Sequence, residues 1–184
     1  MKIVERNIVG KTPTHLSPDM KNGRYAMVLI SEFIRERLKA EASVDDFCQA
    51  LIGGKLYENN KPFEEEIAAR RASLIRQGMP PADARKAIEP LLIQAMLDGQ
   101  NTHYAVIDGF PIYREGVKVI SPAIGEIVLA SDGYPFLKPT LAESEAALQT
   151  QLAADPQNIS SFLATKGLLA GNHSFDDRSY IRFE

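Results

Sequence analysis

With 184 residues, 45% of them hydrophobic, the chain can bury a sizeable core, and a single domain over 1–184 is the expectation. A formal net charge of −3 excludes general electrostatic attraction to nucleic acid or to an anionic membrane surface. The lone cysteine, Cys48, excludes an internal disulfide and a cysteine-based zinc cluster, which fits a cytoplasmic protein.

The opening residues Met1-Lys2-Ile3-Val4-Glu5-Arg6-Asn7 lack the long apolar core of a signal peptide. No apolar run approaches the roughly 20 residues of a membrane span. Residues 3–9 read as a short strand ending at Gly10, and 11–21, with Pro13, Ser17 and Pro18, as a loop. From Asn22 the apolar residues Ala26, Leu29, Ile30, Phe33, Ile34 and Leu38 share one helical face. Ser43 is placed to cap a second, short helix reaching Leu51. Gly53-Gly54 breaks the chain, and 55–57 reads as a brief strand. Pro62 and the acids Glu64, Glu65 and Glu66 open a helix that runs to about Arg76 and stops near Gly78. Pro80 or Pro81 starts the next helix, which carries Ala84, Ile88, Leu91, Leu92, Ala95, Met96 and Leu97 and is expected to kink at Pro90.

After Gly99 the periodicity changes from helical to alternating. Residues 104–107, 117–120 and 126–130 are β-branched runs separated by Asp108-Gly109, Glu115-Gly116 and Gly125, as successive antiparallel strands would be. Thr140-Leu141-Ala142-Glu143 is a capping box for a helix to about Ala153. A shorter helix is expected over 158–165 and a closing strand over 177–183. Helices followed by antiparallel strands make an α+β fold.

The chemistry concentrates in two acidic loops at strand ends. Ala130-Ser131-Asp132-Gly133 follows the apolar run Ile127-Val128-Leu129, and Ser174-Phe175-Asp176-Asp177-Arg178-Ser179 precedes Tyr180-Ile181. A carboxylate where a strand breaks into a turn exposes hard oxygen ligands from a fixed backbone, which suits Mg²⁺ or Mn²⁺. Each Asp taken alone also reads as an ordinary turn residue. These strings, with the intervening helix and Thr165-Lys166-Gly167, resemble the C-terminal part of the type 2C family of metal-dependent protein phosphatases, in a bacterial, uncharacterised branch.

The resemblance implies an antiparallel β-sandwich flanked by helices (αββα), with Asp132 and Asp176 at two metal-ligand positions for Mn²⁺ or Mg²⁺. It also implies a metal-dependent phosphomonoester hydrolase acting on a phosphorylated protein or a small phosphomonoester. It covers residues 101–183 well and 22–90 less well. The family's early Asp-Gly is not visible in Ile8-Val9-Gly10-Lys11-Thr12, and its central Gly-Asp hairpin has only Asp45-Asp46 and Gly53-Gly54 to stand for it. The chain is shorter than the usual catalytic domain, so strands of the sandwich are expected to be missing. The alternative is therefore a non-catalytic, phosphatase-like binding or regulatory module.

Arg24, Arg178 and Lys166 are the candidate phosphate clamps. Asp108 reads as a hairpin-turn residue. His15, His103 and His173 lack regular spacing and read as turn or surface residues, and Cys48 as an inert thiol. Arg70-Arg71 reads as an i,i+4 partner set for the acids at the start of its helix.

Overall fold

In the computed structural model, which describes residues 3–9, 49–58, 63–105, 111–117 and 126–183, five short strands pair into one sheet. They are β1 (Ile3–Val9), β2 (Gln49–Ile52), β3 (Lys55–Glu58), β4 (Ile127–Ala130) and β5 (Arg178–Phe183), in the order β1-β5-β4-β2-β3. Every pairing is antiparallel. The helices are α1 (Glu64–Arg76), α2 (Pro81–Gly99) and α3 (Leu141–Ala154), and a 3₁₀ turn spans Arg114–Gly116. The class is α+β, as expected. Among the described residues no helix is long and apolar enough to cross a membrane.

The centre of the sheet follows from alternation. Ala130 stands opposite Tyr180 and Val128 opposite Arg182, so Val128, Ala130 and Tyr180 share a face. They pack with Tyr134 and Leu137 into the core, against Leu51 and Leu141. Ile127 and Ile181 point the other way and are also buried. Strands β4 and β5 thus bury residues on both faces. At the N-terminal edge, the Arg182 guanidinium joins three strand ends, reaching Glu5 at 3.2 Å and Glu126 at 2.7 Å.

Several expectations hold in detail. Thr140 Oγ1 accepts from the Glu143 amide, and the Glu143 carboxylate accepts from the Thr140 amide, completing the capping box of α3. Helix α1 ends where Gly78, at φ +96°, turns the chain, and Pro81 then opens α2. Pro90 lies inside α2, which continues as one helix to Gly99.

Others are corrected. Where the short helix expected to reach Leu51 falls on described residues it is strand: Gln49–Ile52 forms β2, which turns back into β3 through Gly53 and Gly54 at φ +54° and +79°. Two positive φ values are what a tight hairpin turn demands, so the glycines act as a turn rather than a helix stop. Tyr104 is not in a strand either. Its carbonyl accepts from the Asn101 amide and its ring lies over Gly99, which folds it back on the end of α2. Val117 closes the 3₁₀ turn with its amide on the Arg114 carbonyl and is not in a strand. Residues 158–165 form no helix: Asn158 takes φ +51°, outside the right-handed helical region, and the Asp155 carboxylate accepts from the amides of Ile159, Ser160 and Ser161. The amphipathic helix expected over 22–38, Asp45-Asp46, Cys48, Asp108-Gly109, His15, Arg24 and residues 118–120 lie outside the described residues.

Candidate functional site

The two acidic loops meet at neighbouring ends of β4 and β5. Beyond Ala130 the ladder continues one more step, with the Ser131 amide on the Ser179 carbonyl at 3.0 Å and the Ser179 amide on Ser131 Oγ at 2.9 Å. Both serines are buried. The chain then turns over Asp132-Gly133, and the Tyr134 amide reaches back to the Ser131 carbonyl. Gly133 is required here by close approach: a Cβ would stand 2.3 Å from the Asp177 carbonyl oxygen and 2.6 Å from Arg178 Cβ. Asp132 itself is exposed, at the tip of a turn whose backbone is fixed on both sides.

Gln49, at the start of β2, supplies the third brace. Its side-chain amide donates to the Ser131 carbonyl at 3.0 Å and to the Tyr134 carbonyl at 2.9 Å, spanning the Asp132 turn from behind. Nothing in the motif names this residue. It is recognisable in sequence only after β2 is known to be a strand, since its register opposite Ala130 is what brings it there.

Arg178, a candidate clamp, is committed elsewhere. It grips Glu145 of α3 with Nε at 2.9 Å and Nη2 at 3.0 Å, and the Tyr134 hydroxyl donates to the same carboxylate at 2.7 Å. The guanidinium also lies over the Tyr134 ring, 5.9 Å from its centre. Burial pulls the Arg178 pKa down, but the Glu145 carboxylate more than reverses this and holds it above the ordinary arginine value. Glu145 likewise carries no motif signal.

Asp176 follows the buried Phe175, and its carboxylate is ion-paired with the Lys166 ammonium. Asp177 faces solvent. Lys166 arrives on the segment 155–168, which is built like a bracket. Asp155, buried, gathers three amides at one end. The Asn158 amide reaches the Lys166 carbonyl at 3.4 Å, and Gln157 reaches the Leu168 carbonyl at 3.2 Å.

Arginines of α1 and α2 hold this bracket from outside. Arg71 donates to the Gln157 carbonyl at 2.7 Å, the Ala164 carbonyl at 3.3 Å and Gln157 Oε1 at 3.0 Å; Arg85 donates to the Thr165 carbonyl at 3.0 Å, and Arg76 to the Ile159 carbonyl. Arg71 is only 1% exposed, so it is not the solvated partner of the N-terminal acids that the sequence suggested. It shares a face with Ile67 and Ala68, and that spacing is the signal that could have shown its burial. Burial lowers its pKa, the nearby Arg85 lowers it further, and Asp155 partly compensates.

Asp132 and Asp176 thus lie on turns at adjoining strand ends, Asp132 exposed and Asp176 ion-paired with Lys166. Among the described residues no group of three His, Cys, Asp or Glu side chains converges on a metal position. His103 and His173 are exposed and take no part. Compared with models of protein families, with curated proteins and with solved structures, the chain matches none.

Proposed function

We propose that the chain is a metal-dependent phosphomonoester hydrolase with a type 2C-like αββα sandwich, acting in the cytoplasm on a phosphorylated protein or a small phosphomonoester. The observation that carries this reading is the meeting of the Asp132 and Asp176 turns at the ends of β4 and β5. The burial of both faces of β4 and β5 agrees with a sheet inside a sandwich.

In this reading Asp132 and Asp176 hold Mn²⁺ or Mg²⁺. A bound divalent cation supplies neutralisation of charge on a transferring phosphoryl group and acidifies a water. The protein's share is positional. Gln49, Ser131 and Gly133 fix the turn that presents Asp132, and the Arg71 bracket fixes the backbone that presents Lys166. Arg178 serves the fold through Glu145, so Lys166 is the better phosphate clamp of the two.

The test is hydrolysis of an aryl phosphate with Mn²⁺, comparing the native chain with Asp132→Asn and Asp176→Asn. Turnover that needs Mn²⁺ and is lost in both variants supports the enzyme. The non-catalytic module is favoured by one observation, the pairing of Asp176 with a lysine where no third ligand converges among the described residues. Absence of turnover in a chain that still binds a phosphorylated peptide would decide for it.

A further inference from the structure

We propose that a groove along α3 binds a small aromatic carboxylate that also carries a hydroxyl or N–H donor. The groove has a volume of about 390 Å³, within the range of small-molecule sites. None of Asp132, Asp176 and Lys166 lines it.

The helix supplies the floor and two loops supply the walls. Ala147, Thr150, Gln151 and Ala154 recur at helical spacing on one side of α3, facing Phe136 and Lys138 on one segment and Ser161 on another. Each wall is pinned to the helix. The Lys138 amide donates to the buried Ser144 Oγ at 3.0 Å. The Ser161 hydroxyl donates to the buried Gln151 Oε1 at 2.9 Å, and the Ser161 amide donates to Asp155 at the end of α3 at 3.2 Å. Phe136 also meets Phe162 edge to face, with ring centres 5.6 Å apart. A groove framed in this way is pre-organised, which lowers the ordering cost of binding.

The lining sets the chemistry of the ligand. Phe136, Ala147 and Ala154 offer apolar surface, and the Phe136 ring favours an aromatic body. Lys138 is the one charged residue of the lining, and among the described residues no carboxylate pairs with its ammonium. That charge calls for an anion. The Ser161 hydroxyl commits its proton to Gln151, and the Thr150 hydroxyl donates to the Ala146 carbonyl at 2.9 Å. Both oxygens remain as acceptors, so the donor has to come from the ligand.

Titration of the isotope-labelled chain with para-hydroxyphenylacetate, followed by backbone amide shifts in NMR spectra that also verify folding, tests the site. The native chain should bind with a Kd of about 1 mM, with shifts centred on residues 147–154 and 161. Lys138→Gln should weaken binding about two- to fivefold, Lys138→Arg should keep it, and Ala154→Leu should abolish it by filling the groove. Ala154 is exposed, so that variant should fold, and Thr150→Met is a second filling variant should it not. Phenylacetate, which lacks the donor, should bind more weakly, and tyramine, with an ammonium in place of the carboxylate, should not bind. If para-hydroxyphenylacetate shifts no amide of α3, or if tyramine or the filled variants bind as well as the native pair, the site is overturned. Equal affinity for phenylacetate would overturn the donor requirement.

Discussion

Replacing Gly133 with Ala should unseat the Asp132 turn, and the size of the loss can be worked from the contacts. The added methyl would stand 2.3 Å from the Asp177 carbonyl oxygen, 2.6 Å from Arg178 Cβ and 3.0 Å from the Asp177 carbonyl carbon. Two of these three are backbone atoms, so no side-chain rotation relieves the clash. The φ of Gly133 is not in the left-handed region, so lack of space alone opposes the substitution. Relief requires the ends of β4 and β5 to part, which stretches the Ser131–Ser179 pair of hydrogen bonds at 3.0 and 2.9 Å. Two such bonds contribute about 1 kcal/mol each, and leaving their buried groups unpaired adds about 1–3 kcal/mol. Gly133→Ala should therefore lose about 3–5 kcal/mol in urea unfolding. A loss under about 1 kcal/mol would show that the two turns yield to each other cheaply and that the Asp132 backbone is not fixed.

Arg71→Met should lose about 2–4 kcal/mol in the same assay, because it strands the Gln157 and Ala164 carbonyls in a buried place. Stability unchanged in that variant would mean that desolvation of the guanidinium cancels its hydrogen bonds. Saturating Mn²⁺ should raise the thermal midpoint of the native chain, since a ligand held at 100 times its dissociation constant stabilises by about 2.7 kcal/mol. Asp132→Asn and Asp176→Asn should lose that response, and a metal-induced rise that survives in both would place the cation elsewhere. Alkaline titration should expose Tyr180, whose hydroxyl donates to the Pro139 carbonyl at 2.8 Å and whose pKa burial, with Glu5 next, pushes well above the ordinary tyrosine value. A raised folded pKa means full stability below about pH 10 and progressive loss above it, because the unfolded chain gives up its proton first. Tyr180→Phe should flatten that alkaline slope, and an unchanged slope would assign it to other groups.

What could be read from the sequence was local. The capping box at Thr140, the acidic start of α1, the Gly78 stop and the strands at residues 3–9 and 126–130 each follow from side chains acting within a turn or along one strand. The neighbourhood of Asp132 and Asp176 was reached through motif order, and the register of Ala130 opposite Tyr180 gives it a physical basis. What stayed hidden depends on contacts distant in sequence. Gln49 meets the Asp132 turn across 82 residues and Arg71 meets Gln157 across 86, so neither partner lies within any local window. The helix expected over 158–165 failed for a related reason: Asn158 is held at φ +51° with its side chain bonded to Gln151 and to the Lys166 carbonyl, contacts that local propensity does not include.

The division of labour around the strand ends bears on which function class fits better. A turn needed only to reverse the chain has no use for a buried glutamine spanning it, a glycine pressed on the opposite loop and a serine completing the ladder. Here all three act on the backbone, and none touches the Asp132 carboxylate in any hydrogen bond the structure gives. The carboxylate is exposed on a support that cannot drift, which is how binding groups are carried when a rigid scaffold positions a loop. Asp176 is partly exposed and ion-paired with Lys166. A purely structural acid would more economically be locked by several hydrogen bonds, as half-buried Glu145 is with Arg178 and Tyr134. The contrast between these two sets of acids, one consumed by the fold and one left at its surface, is the physical reason to seek a cation at Asp132 and Asp176 first.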